Sequence, residues 1–424
     1  MKKKKMTIVI ALIILIMTVI IVIPKKEYKN EIQEENITNV KDMAFFIQNT
    51  DGLYQEEETI PENYILNTEK SVCSNGAVPI YREGEVVLTN LKSKNTQCFL
   101  YFDPANASST ILATIKETTT RTSFAGTNGS STTGKIYKEN TDEGTTYYYT
   151  GAPTDNYVKF ANHYWRIIRI NENGSIRMIY SGNVGTIGSN KETVLANGYN
   201  DSTTGYLKYG NSAFSYASND SKYVGFQYES NGTKYNSKIL DVLLNWYEIY
   251  IENKGYDKYI DDSAGFCGDR TAYTDDTGTE IETDTSTTKT YYGAYIRNNT
   301  NKTPLFSCPN SDDLYKTKVG LITAEEVAYA GGVFYSANTS YYLYTGYRYW
   351  TMSPSFYDDY TNEDGVDEGK HARLVDINEN GSMGYGNAYD PGEGVRPVIN
   401  LKAGLELSGD GTIDTPYEVI EAGE

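Results

Sequence analysis

Hydrophobic positions recur along the chain in three ways: as one unbroken run, with the period of a strand, and with the period of a helix. The unbroken run, Met6 to Ile23, follows Lys2 to Lys5 and is closed by Pro24, Lys25 and Lys26. As a helix rising about 1.5 Å per residue, its 18 residues reach about 27 Å, close to the roughly 30 Å of a bilayer core. It is longer than a signal peptide's apolar stretch, and no small-residue cleavage pair follows it. It predicts a cytoplasmic tip and single-pass transmembrane anchor over residues 1–26. The lysines before the run place the N-terminus in the cytoplasm and the bulk of the chain outside the cell.

Strand-like segments come next. Val86-Val87-Leu88 and Cys98 to Phe102, after turn signals at Asn75-Gly76 and Glu83-Gly84, predict a small β module over residues 27–105. Residues 106–146, rich in Thr, Ser and Gly, read as a linker. Tyr164 to Ile170 and Ser175 to Tyr180 flank Asn171-Glu172-Asn173-Gly174, a hairpin whose turn closes on the glycine that a positive φ requires. The six residues Ile170 to Ser175 recur as Ile377 to Ser382, so a second hairpin with the same turn is expected. Asp376, Asn378, Asn380 and Gly381 also match the start of a calcium loop. The closing position of that loop holds Asn387, and the first copy starts on Arg169, so the turn reading is kept and no metal is assigned.

Two helices are expected between the hairpins. Ile239, Val242, Leu243, Trp246 and Tyr250 form one apolar stripe and Leu240, Leu244, Tyr247 and Ile251 another, which predicts a buried helix. Thr323-Ala324-Glu325-Glu326 is a capping box that opens a short helix ended by Gly331-Gly332. The class is α+β, with residues 147–424 forming a head that ends in a β-hairpin.

Charge and composition then exclude functions. The formal charge is −18, and without the four lysines ahead of the apolar run 34 basic residues face 56 acidic ones, a net −22. Such a chain does not bind nucleic acid, whose affinity comes from clustered Lys and Arg. With 2 histidines, a site needing several imidazoles is excluded. His163 and His371 have no nucleophile at a recognisable spacing and read as surface or satisfied polar residues. The Ser-x-x-Lys match at Ser286 to Lys289 lies in a hydrophilic Thr-rich stretch, and no metalloprotease, nucleophile-elbow, phosphate-loop or dinucleotide pattern occurs. No cofactor is expected. Paired carboxylates remain, because their partners need only meet in space. The acidic stretches Asp261 to Tyr291 and Asp358 to Glu368 read as solvated loops. Cys73, Cys98, Cys267 and Cys308, in an oxidising compartment, predict structural disulfides; of three possible connectivities the sequential one, Cys73 with Cys98 and Cys267 with Cys308, is favoured because the linker separates the two pairs.

Of the 40 tyrosines, those between Tyr341 and Tyr360 lie in or beside expected loops. Tyr344, Tyr347, Tyr349, Trp350, Tyr357 and Tyr360 are the candidate ligand-binding residues, since phenols give large amphipathic area at low entropy cost and stack on sugars. An AT-rich genome would also enrich tyrosine without any such role.

Several segments carry a family likeness. Asn156 to Phe160, Tyr164 to Ile170, the repeated turn, Phe266 to Arg270, Val319 to Val327, Tyr349 to Pro354 and Gly394 to Leu401 resemble uncharacterised membrane-anchored surface proteins of low-GC Gram-positive bacteria and mollicute relatives. Cys73, Cys98 to Phe102 and the tail from Ser408 to Val419 resemble them too. Over about residues 150 to 405 the pattern is similar to a domain of unknown function related to the C-type-lectin-like fold of sulfatase-modifying factors. The resemblance implies a binding scaffold. The formylglycine-generating chemistry is not implied, because no cysteine pair stands in a matching motif. A non-enzymatic recognition or adhesion protein with a glycan or protein ligand is therefore expected. The alternatives are a carboxylate-dependent hydrolase of surface glycan and a purely structural envelope protein.

Overall fold

The structure, a computed structural model, describes residues 35–37, 43–49, 52–61, 64–68, 70–82, 85–90, 96–183, 213–281, 289–361 and 367–420. The expected anchor lies outside them, and no helix among the described residues is long and apolar enough to cross a membrane. The described residues up to Pro104 form one compact unit and those from Ala105 onward a second.

The first unit is all β apart from a single turn of helix. Strand Cys98–Pro104 alternates buried Cys98, Leu100 and Phe102 with half-buried Phe99 and Tyr101, as period two requires. It is the centre of a sheet, pairing parallel with Ala44–Gln48 and antiparallel with Tyr64–Leu66 and Val72–Cys73. A second sheet is formed by Glu85–Thr89 between Glu35–Ile37 and Val78–Arg82. Phe45, Ile47, Leu66, Val86, Leu88, Leu100 and Phe102 make its core. Cys73 and Cys98 are register partners and are joined by a disulfide.

The second unit is α+β and mostly strand. Residues 106–146 are not a linker but part of this unit. Ala107–Thr114 is a helix whose reciprocal cap joins Asn106 and Ser109, and Glu117–Thr119, Lys135–Thr141 and Gly144–Tyr148 are strands of its larger sheet. Ser109, one of the Thr, Ser and Gly residues that suggested a linker, instead caps the helix together with Asn106, while Ala107, Ile111 and Ile136 supply fully buried anchors. The larger sheet runs Leu407–Ser408, Tyr417–Val419, Tyr157–Phe160, His163–Ile170, Gly144–Tyr148, Lys135–Thr141, Glu117–Thr119, with Ile176–Asn183 also paired to His163–Ile170 and Val398–Leu401 paired to Ile176–Asn183. A second sheet runs Glu280–Ile281, Ala272–Tyr273, Thr290–Tyr292, Tyr349–Thr361, Asp367–Ile377, Met383–Asn387.

Both repeated turns close as expected. The amide of Asn171 donates to the Ser175 carbonyl at 2.8 Å and that of Asn378 to the Ser382 carbonyl at 2.9 Å, with Gly174 at φ 80° and Gly381 at φ 79°. The helix Lys238–Tyr250 buries Ile239, Leu240, Leu243, Trp246 and Tyr247, whereas Leu244 is exposed, so its second stripe is only partly covered. His163 is not a surface residue. It is 3% exposed among Trp165, Tyr180, Trp246 and Tyr250.

Candidate functional site

Arg169 and Arg177 are register partners on the two strands of the first hairpin, so their side chains leave the same face of the sheet. Both are buried, which demands compensating charge. It comes from the short helix Ala324–Ala330. The Glu326 Oε1 lies 2.5 Å from Arg177 Nε and 3.4 Å from Arg169 Nε, while its Oε2 accepts from the Thr323 amide at 3.0 Å. One carboxylate thus closes the capping box and neutralises the hairpin. Glu172, in the turn itself, folds back to Arg169 at 3.2 Å. Phe266 lies beneath the Arg177 guanidinium at 4.3 Å and Phe306 beneath that of Arg169 at 4.8 Å.

A second cluster adjoins it. Arg297 Nη2 donates to Glu325 at 2.5 Å and to Asp269 at 2.6 Å. The disulfide Cys267–Cys308 closes the loop that carries Asp269 and Arg297. Between the two clusters is a cavity of about 280 Å³, walled by Arg169, Arg177, Arg297, Glu172, Glu325 and Glu326 and by both sulfurs' residues, with Lys316 and Glu143 exposed at its rim. Burial lowers the Arg177 guanidinium to about 10, against the pull of Glu326. Burial also raises the Glu325 carboxyl, although Arg297 opposes the shift. At Arg297 burial acts downward, but the carboxylates of Glu325 and Asp269 outweigh it and hold the guanidinium above its ordinary value.

The wall keeps unused hydrogen-bonding capacity. Arg169 Nη2 and Arg297 Nη1 make no hydrogen bond with a described residue, and Glu325 Oε2 accepts none from any other described residue. The buried Asn171 gives its amide hydrogens to Ser175 and Asn400 and leaves its Oδ1 without a partner among the described residues.

No family model, curated protein or solved structure matches the chain. The site therefore rests on its own geometry.

The tyrosines chosen from sequence do not form a surface. Tyr349, Trp350 and Tyr357 are core residues at 0, 0 and 1% exposure. The Tyr349 hydroxyl donates to the Leu343 carbonyl at 2.9 Å and that of Tyr357 to the Asn219 carbonyl at 3.1 Å. Tyr344 and Tyr347 are half-buried, packed on the same core, and the Tyr360 side chain lies outside the described residues. Tyr335, at 60% exposure with φ 58°, is presented to solvent instead. Cys267 and Cys308, read as structural, also line the cavity. Arg169, Arg177, Glu325 and Glu326 were visible in sequence only as strand and cap residues.

Asp376 and Glu393 form a separate buried acidic pair under Arg348, whose Nη2 lies 2.5 and 2.9 Å from them. Two carboxylates share one guanidinium, so one proton is retained. Burial and the neighbouring Asp376 charge push the Glu393 carboxyl up to about 9. The leading aspartate of the calcium-like match is therefore committed to an ion pair. The acidic stretch at 358 is likewise not a free loop at its start, since Asp358 sits in strand Tyr349–Thr361 near Lys289 and Arg373.

Proposed function

We propose that this is a cell-surface recognition protein, anchored by the apolar run 6–23, whose second unit binds a compact polar solute or polymer end in the arginine–glutamate cavity. The observation that carries the reading is that cavity: about 280 Å³, lined by eight charged residues and bordered by a disulfide. Ligand sites of drug-sized molecules span about 300–1,000 Å³, so this volume suits something smaller. Each arginine is held by a carboxylate and two rest on aromatic rings, which fixes the wall before a ligand arrives and reduces the ordering cost of binding. The same ion pairs argue for binding over hydrolysis, because Glu172, Glu325 and Glu326 are all engaged by guanidinium groups. The disulfides support an extracellular setting.

Thermal denaturation of the full chain across a panel of sugars, sugar acids, amino acids, polyamines and phosphate tests this. At least one class should raise the midpoint, and Ser263→Trp, an exposed residue at the cavity, should abolish that rise without lowering the unliganded midpoint. A panel with no stabilising solute overturns the reading.

A further inference from the structure

The cavity's charges are arranged for a ligand that carries both signs. Its wall and rim hold four basic residues, Arg169, Arg177, Arg297 and Lys316, and four acidic ones, Glu143, Glu172, Glu325 and Glu326. The wall charges are paired with one another, so a neutral sugar would meet only their spare positions with uncharged groups, and a simple anion or cation would engage one kind of position and leave the other unmet. The spare capacity is also of both kinds. Arg169 Nη2 and Arg297 Nη1 are donors with no hydrogen bond to a described residue, Glu325 Oε2 is an acceptor that takes none from any other described residue, and Asn171 Oδ1 is an acceptor with no partner among them. Arg297 and Glu325 are themselves paired, Nη2 to Oε1 at 2.5 Å, so basic and acidic residues adjoin in the wall. An α-amino acid likewise carries both charges close together, its ammonium and carboxylate leaving the same carbon.

We infer that the ligand is a zwitterion of the amino-acid class, a free amino acid or a short peptide, with its carboxylate on Arg169 and Arg297 and its ammonium on Glu325 and Asn171. This rests on the recognition reading above. Lys316, exposed at the rim, would then meet the side chain of the ligand and favour acidic ones. The carboxylate would take one charge-assisted N–H from each guanidinium, Arg169 Nη2 and Arg297 Nη1. The ammonium, with three donors, fits the carboxylate and amide oxygens.

Calorimetric titration of the full chain with the separate free amino acids and glycylglycine, and with acetate, ethylamine and glucose as probes of one charge or none, tests the inference. The best zwitterion should bind at least about tenfold more tightly than any single-charge probe. Glu325→Gln should weaken the zwitterion about tenfold and leave acetate unchanged. Lys316→Gln, at an exposed position outside the ion pairs, should weaken glutamate or aspartate and spare alanine. Acetate, ethylamine or glucose binding as tightly as every zwitterion overturns the ligand class while the recognition reading stands. No binding by any probe, with no stabilising solute in the thermal panel, removes both.

Discussion

At the scale of single residues, the Asp376–Glu393 pair carries a prediction of its own. Glu393 holds its proton up to about pH 9 in the folded chain, whereas an unfolded glutamate releases it near about 4.3. The folded state therefore binds more protons through the neutral range. This contribution to stability is complete below about pH 4, declines as pH rises and is lost above about 9. Asp376 is shifted in the same direction by burial, although Arg348 opposes it. Glu393→Gln keeps the neutral, hydrogen-bonding form at every pH. Its melting temperature should fall less than that of the wild type between about pH 5 and 9, measured by circular dichroism. Parallel curves for the two proteins would show that the pair is not sharing a proton. Residue by residue, charge was the hardest property to read from sequence. Arg169 and Arg177 stood out as basic residues in strands, but their partner Glu326 is about 150 positions away in the chain. Tyrosine misled for the opposite reason. Its ring is buried readily when one acceptor meets the hydroxyl, as the Leu343 carbonyl does for Tyr349.

At the scale of elements, local chemistry decided what could be read. The repeated turn, the capping box at Thr323 and the helix Lys238–Tyr250 each draw on residues within a few positions, and all three form where the pattern placed them. Residues 106–146 were illegible because their composition is that of a linker, and the apolar residues that fix them, Ala107, Ile111 and Ile136, are few and far apart. The two turns, identical in sequence, differ in what surrounds them. A Cβ on Gly174 would meet Ala403 Cβ at 3.3 Å, whereas on Gly381 it would collide with the Asn338 backbone carbonyl. Gly174→Ala should cost about 1 kcal/mol, the usual penalty for a left-handed residue. Gly381→Ala should cost clearly more, because backbone must move. Chemical denaturation of the two variants distinguishes them, and equal losses would mean that the Asn338 contact yields freely.

At the scale of the whole molecule, sequential pairing of the cysteines was readable, and each described unit contains one disulfide. The pairing Cys267–Cys308 spans 41 positions and by loop-closure entropy is worth about 4 kcal/mol. It also closes the loop that carries Asp269 and Arg297, so the recognition proposed above should depend on the oxidised state. A net charge of −18 hides an internal arrangement in which arginines are gathered around one space and neutralised there. The most direct test of that space as a ligand site is equilibrium dialysis of the full chain against a labelled amino-acid mixture. It is run with the wild type, with Ser263→Trp, and with the wild type after reduction of its disulfides. The oxidised wild type is expected to retain one solute per chain and the blocked variant none, with retention lost on reduction. Retention that is the same in all three samples, or absent from the oxidised wild type, would contradict it.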